Sequence, residues 1–178
     1  MRIYEGSPRQ DWEEVLRSVG VYLDDRGMRD IVFVEDEGGF LLQGLTVEGA
    51  ASTWGESLGT EKRVTVTVSD EDIARFMDEA VAKRGKAKGD NPQRYELELR
   101  VIGRFIDGER PRDLFFFEQG GDYVLRLSHA GQAGTKHAIY EFPRQDVANL
   151  VATAPDLRRG KSDAGASAAA ETPPQSAG

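Results

Sequence analysis

The chain repeats itself, and that limits what it can fold into more than any other feature. Shifting the sequence by 83 positions lays Ser7–Glu35 on Asp90–Glu118 without a gap. The overlay gives ten identities in 29 positions, among them Leu16/Leu99, Gly20/Gly103, Asp24/Asp107, Phe33/Phe116 and Glu35/Glu118. Unrelated sequences would match at about two, so a tandem duplication is expected. Further along, the shift falls to 74: Lys62-Arg63-Val64 meets Lys136-His137-Ala138, and Asp72-Ile73 meets Asp146-Val147. The first copy therefore carries about nine extra residues within Val47–Glu61.

Each copy reads as an α-β-β-β-α unit. A capping signal, Ser7-Pro8-Arg9-Gln10 in one copy and Asp90-Asn91-Pro92-Gln93 in the other, opens the first helix. Trp12, Val15, Leu16, Val19 and Leu23 then keep helical spacing, as do Tyr95, Leu99, Ile102 and Ile106. Two strands follow, 30–35 and 40–47 against 113–118 and 123–127, joined through Gly38-Gly39 and Gly120-Gly121. A third strand alternates Val64, Val66 and Val68 with Thr65 and Thr67. Ser69 caps the last helix of the first copy, with Asp70, Glu71 and Asp72 in its first turn.

The expected fold is α+β: an antiparallel sheet of about six strands with four helices on one face, in a pseudo-twofold arrangement. The expected organisation is residues 1–85, a linker at 86–89, residues 90–161, and a disordered tail at 162–178. That tail is rich in Ala, Ser, Gly and Pro and lacks the large apolar residues that offset chain entropy. The strands Ile31–Val34 and Leu114–Phe117 are apolar at consecutive positions, so both of their faces are expected to be covered, by the chain's own helices or by a partner.

Composition excludes some chemistry. The sequence has no Cys, which removes disulfides, thiolate metal sites and Cys nucleophiles. The net charge of −8 disfavours a general nucleic-acid binder. No apolar run reaches the length of a membrane span, and Met1–Gly6 lacks a signal-peptide core, so a cytoplasmic location is expected. The two histidines, His129 and His137, fall in no catalytic or metal-binding pattern, and read as surface residues. Arg29-Asp30 and Arg112-Asp113 read as structural pairs, and the acidic clusters at Asp24-Asp25, Glu35–Glu37 and Asp70–Asp72 as solvated turns and a helix first turn. No catalytic residue, cofactor or metal is expected.

Two segments are candidate contact sites. The extra segment of the first copy carries Trp54 and Leu58, either a lid on the core or an anchor for a partner. The linker carries Lys83, Arg84, Lys86 and Lys88, able to contact an anion. In element order alone, the αβββα unit resembles the first part of the bacterial type III secretion chaperone fold, whose members bind other proteins. The duplicated arrangement resembles the saddle of TATA-binding proteins. No residue motif carries either resemblance, so neither transfers a site. The expected function is a non-enzymatic protein-binding or regulatory module, acting through a sheet face, a sheet edge or the 47–61 loop, on another protein or on itself. The alternatives are nucleic-acid binding through the basic linker, and an enzyme or small-ligand binder with a pocket between the copies.

Overall fold

Why the first helix begins and ends where it does is visible at its caps. The carboxylate of Asp11 accepts the backbone N–H of Glu14 at 3.0 Å, and Gly27 stops the helix in the left-handed conformation at φ 60°. The computed structural model describes residues 11–36, 39–48, 60–83 and 94–154. Its elements are α1 (Trp12–Arg26), β1 (Arg29–Asp36), β2 (Gly39–Glu48), β3 (Thr60–Ser69), α2 (Asp70–Lys83), α3 (Arg94–Glu109), β4 (Asp113–Gln119), β5 (Asp122–Gly131), β6 (Gly134–Phe142) and α4 (Arg144–Thr153). Helix α1 therefore opens at Asp11, four residues later than the Ser7 signal suggests; Ser7–Gln10 and Asp90–Gln93 lie outside the described residues.

The six strands form one sheet in the order β3-β2-β1-β4-β5-β6, with every neighbouring pair antiparallel. The fold is α+β. Strands β1 and β4 meet at the centre, where Phe33 sits opposite Phe116, flanked by Val32 opposite Phe117 and Val34 opposite Phe115. Side chains alternate along the strands. Ile31, Phe33, Leu42, Phe116, Tyr123 and Leu125 are fully buried on the face that meets the helices. Phe33 stacks on Phe40 and Phe116, with ring centroids 4.7 and 5.0 Å away, and receives the edge of Trp12. Val64, Val66 and Val68 turn toward this core while Thr65 and Thr67 are exposed, as their alternation predicts. Ser69 caps α2, accepting the N–H of Asp72 at 3.2 Å.

Helices α1 and α3 pack closely because each presents a glycine to the other. A Cβ on Gly20 would lie 2.3 Å from the carbonyl oxygen of Tyr95, and one on Gly103 would lie 2.2 Å from that of Trp12. The same approach brings the end of each helix to the start of the other. Asp107 accepts the N–H groups of Trp12 and Glu13 at 2.9 and 3.0 Å; Asp24 accepts those of Tyr95 and Glu96 at 3.0 and 2.9 Å. Two ion pairs repeat the exchange: Arg17 with Glu96 at 3.0 Å and Arg100 with Glu13 at 2.9 Å. Free N–H groups in the first turn, with the dipole behind them, make a carboxylate favourable there.

Asp24 is thus not the solvated turn acid that its neighbour Asp25 suggests. Burial pushes its pKa up to about 6, against the two N–H bonds that favour the anion, and Glu96 and Glu98 add to the rise. An acid whose folded pKa is raised contributes stability that is complete below the unfolded value of 3.8 and lost as pH rises through about 6. Asp24→Asn, neutral at every pH, should therefore gain stability relative to wild type as pH goes from 4 to 6. Paired thermal melts across that range check this: a constant difference between the two proteins would show that Asp24 ionises normally. Asp107, raised in the same direction by its own burial, keeps part of the slope in the variant.

Candidate docking face on the sheet

The face of the sheet away from the helices is apolar at its centre. Its residues follow from the register, in two rows that run across all six strands. One row is Thr65, Gln43, Val32, Phe117, Val124 and Glu141. The next is Thr67, Leu41, Val34, Phe115, Arg126 and Ile139. Val32, Val34, Leu41, Phe115, Phe117 and Val124 are half-buried, against full burial of their neighbours Phe33 and Phe116. None of the six joins the core cluster, and Ile139 at the edge is 67% exposed. Among the described residues, all helix packing is on the opposite face, so of the two covers expected for β1 and β4, the chain's own helices supply only one side there.

Four strands at about 4.8 Å spacing, over two rows of side chains, make a patch of roughly 250 Å² in which all positions but Gln43 and Arg126 are apolar. The largest apolar patch on a monomer is often functional. Phe115 and Phe117 lie 6.2 Å apart on the same side of β4, and the guanidinium of Arg126 sits 5.4 Å from the centre of the Phe115 ring. The charged positions of the two rows, Arg126 and Glu141, cancel, although the whole chain is at −8. These two rows are therefore mostly apolar and carry no net charge.

A second cluster with chemistry-bearing side chains lies inside the core. Glu118, 2% exposed, accepts from Tyr95 Oη at 2.8 Å, from Arg94 at 2.7 Å and from the Gly121 N–H at 2.5 Å. Tyr123 Oη donates to Glu98 at 2.8 Å, and Arg94 joins Glu98 at 3.2 Å. Burial raises the pKa of both tyrosines and keeps them neutral donors. Glu118 is met by three donors from its own chain, and the group serves as a satisfied buried network. The residues 83 positions before Tyr95, Glu98 and Tyr123 are the apolar Trp12, Val15 and Phe40, and that contrast is the sequence signal for the network.

A groove of about 200 Å³ lies between α1, β3 and α2, lined by Tyr22, Arg26, Val66, Val68, Asp72 and Arg75. It belongs to one half of the chain, not to the space between the halves. Its charges are engaged locally: Arg75 pairs with Asp72, and Arg26 lies 3.7 Å over the Tyr22 ring. In the corresponding corner of the other half, Phe105, Tyr140 and Phe142 fill the space with edge-on contacts at 4.9 and 5.0 Å.

The residues singled out from sequence distribute as follows. Trp54, Leu58, Arg84, Lys86 and Lys88 lie outside the described residues, as does the side chain of Lys83 at the end of α2. Arg29 pairs with Glu61, while Asp30, at φ 49°, accepts the Gly120 N–H at 3.1 Å and ties the two hairpins across the centre. His137 is exposed and bonds Ser128 at 3.0 Å. Among the described residues no group of three or more acidic or histidine side chains is placed to hold a metal, and no helix is long and apolar enough to cross a membrane. No protein-family model matches the chain, and no curated protein or solved structure matches it.

Proposed function

We propose that the chain is a non-enzymatic protein-binding module whose docking surface is the helix-free face of the sheet. One observation carries this reading. Six apolar side chains, contributed by the four central strands, stand together on a face that no described helix covers. A strand that needs only one buried face would alternate with polar residues, and β1 and β4 do not. Exposed apolar area of this kind is unfavourable in water by roughly 25 cal/mol per Å², so its retention argues for something that covers it.

The same reading takes the two halves, 1–85 and 90–161, as copies related by a pseudo-twofold axis between β1 and β4. Supporting it, the caps, ion pairs and close glycines between α1 and α3 come in reciprocal pairs whose members stand 83 residues apart: Asp24 with Asp107, Arg17 with Arg100, Gly20 with Gly103. The six apolar positions of the open face obey the same spacing, Val32 with Phe115, Val34 with Phe117 and Leu41 with Val124. The docking surface is then a duplicated one, with equivalent halves either side of the central seam.

Phe117→Asp tests the function. The side chain is half-buried on the open face, so the substitution should leave the helical core intact and lower stability by about 1 kcal/mol. Used as bait beside wild type in the same lysate, it should fail to retain the proteins that wild type retains. Identical captured sets, with both baits folded by circular dichroism, would rule out this face as the docking surface.

A further inference from the structure

We infer that the occupant of the open face is a second copy of this chain, stacked sheet on sheet. The inference rests on the reading of that face as a docking surface, and it names the partner. Three observations point to self-association.

The first is the register. Turn a copy over about an axis that lies in the sheet plane, perpendicular to the strands and between the two rows. Each row then falls on the other. Val32 meets Val34, Phe117 meets Phe115, and Gln43 meets Leu41, each contact made twice. An isologous interface needs a patch that is complementary to itself under a twofold, and this patch meets that requirement. Packed sheets normally lie about 10 Å apart at an angle of about 30°, which the twist of each sheet allows.

The second is charge. In that alignment Arg126 of one copy faces Val124 of the other, one strand away from Glu141. The reciprocal contact places the other Arg126 beside the other Glu141. Opposite charges therefore meet in two pairs at the β5–β6 end of the apolar centre, while the β2–β3 end presents Gln43, Thr65 and Thr67. The net charge of −8 would repel two copies approached at random, but of the two rows that meet, one carries a single anion, Glu141, and the other a single cation, Arg126.

The third is area. Six strands at about 4.8 Å spacing, about eight residues long at about 3.3 Å each, give a face of roughly 750 Å². A stable specific interface buries about 800 Å² per partner. The whole face thus approaches the area a dimer needs, with the apolar centre making about a third of it.

Sedimentation equilibrium of the full chain, from micromolar to hundreds of micromolar, tests the proposal. The expected mass rises to twice the 19.6 kDa of one chain. Phe117→Asp should remain folded and monomeric. Arg126→Glu and Glu141→Arg should each weaken the dimer by about tenfold, and the double variant should recover most of that loss, because each reversal restores the sign its partner lacks. A wild-type chain that stays monomeric throughout overturns self-association; the docking-face reading then survives if Phe117→Asp still loses captured proteins, and falls with it if the captured sets are identical. A dimer that persists in Phe117→Asp overturns the proposal by placing the interface elsewhere. A dimer lost in Phe117→Asp but not rescued by the charge swap supports the face and overturns the row-on-row alignment.

Discussion

Gly103→Ala and Gly20→Ala are each expected to lower the melting temperature by about 10 °C, the equivalent of about 3 kcal/mol in a chain of this size. Alanine is the better helix former, so helix propensity alone predicts the opposite sign. The added Cβ would meet backbone, at 2.3 Å from Tyr95 O or 2.2 Å from Trp12 O, and a backbone carbonyl cannot rotate aside as a side-chain tip can. The helices must move apart by about 1 Å to restore ordinary contact, and close-packed interiors accommodate such shifts poorly. Separation also stretches the bonds from Asp24 and Asp107 to the opposite helix starts. Gly108→Ala is the control. It lies in the same helix α3, a Cβ there has nothing within 4 Å, and it should be neutral or stabilising by up to about 1 kcal/mol. Equal melting temperatures for Gly103→Ala and Gly108→Ala would show that α1 and α3 do not approach as described.

Glu118→Ala should be similarly severe, at about 3 kcal/mol or more. The carboxylate receives Arg94, Tyr95 and the Gly121 N–H, and its removal leaves two buried donors without their acceptor and takes from the half-buried Arg94 one of its two carboxylates, Glu98 remaining. An unsatisfied buried donor costs about 1–3 kcal/mol. Tyr95→Phe in the Glu118→Ala background offers a check by urea unfolding. With the acceptor already gone, deleting the hydroxyl should cost nothing or recover stability, whereas in wild type it should destabilise. Additive effects of the two substitutions would mean that Tyr95 and Glu118 do not share a bond.

Much of the fold was legible because the two similar stretches of sequence, 83 positions apart, carry the same patterns. Val64, Val66 and Val68 state the inward face of β3 by alternation alone, and the Gly38-Gly39 and Gly120-Gly121 pairs announce the hairpins. The helix starts were not legible in full. Local signals at Ser7 and Asp90 suggest self-contained capping, whereas Asp24 and Asp107 cap helices about 70 to 95 residues away, and no local pattern encodes that. The identity Asp24/Asp107 was visible, but as a pair of surface acids. The open face of the sheet was half legible. The consecutive apolar residues of Ile31–Val34 and Leu114–Phe117 announce strands that need cover on both sides. What sequence could not supply is which side the helices take, because that depends on the register of β1 on β4.

The reciprocal caps also bear on how the chain reaches this state. Their bonds close loops of 71, 72, 94 and 95 residues, and they complete the starts of the two central helices. Neither helix is fully stabilised while its half is alone. Contacts so distant in sequence form only after the conformational freedom of the intervening chain has been lost, which slows folding toward the millisecond-to-second range of non-local topologies. The two halves should therefore appear and disappear in a single kinetic phase, and a nascent chain that has emerged only as far as α2 should still lack the aspartate that closes the start of α1.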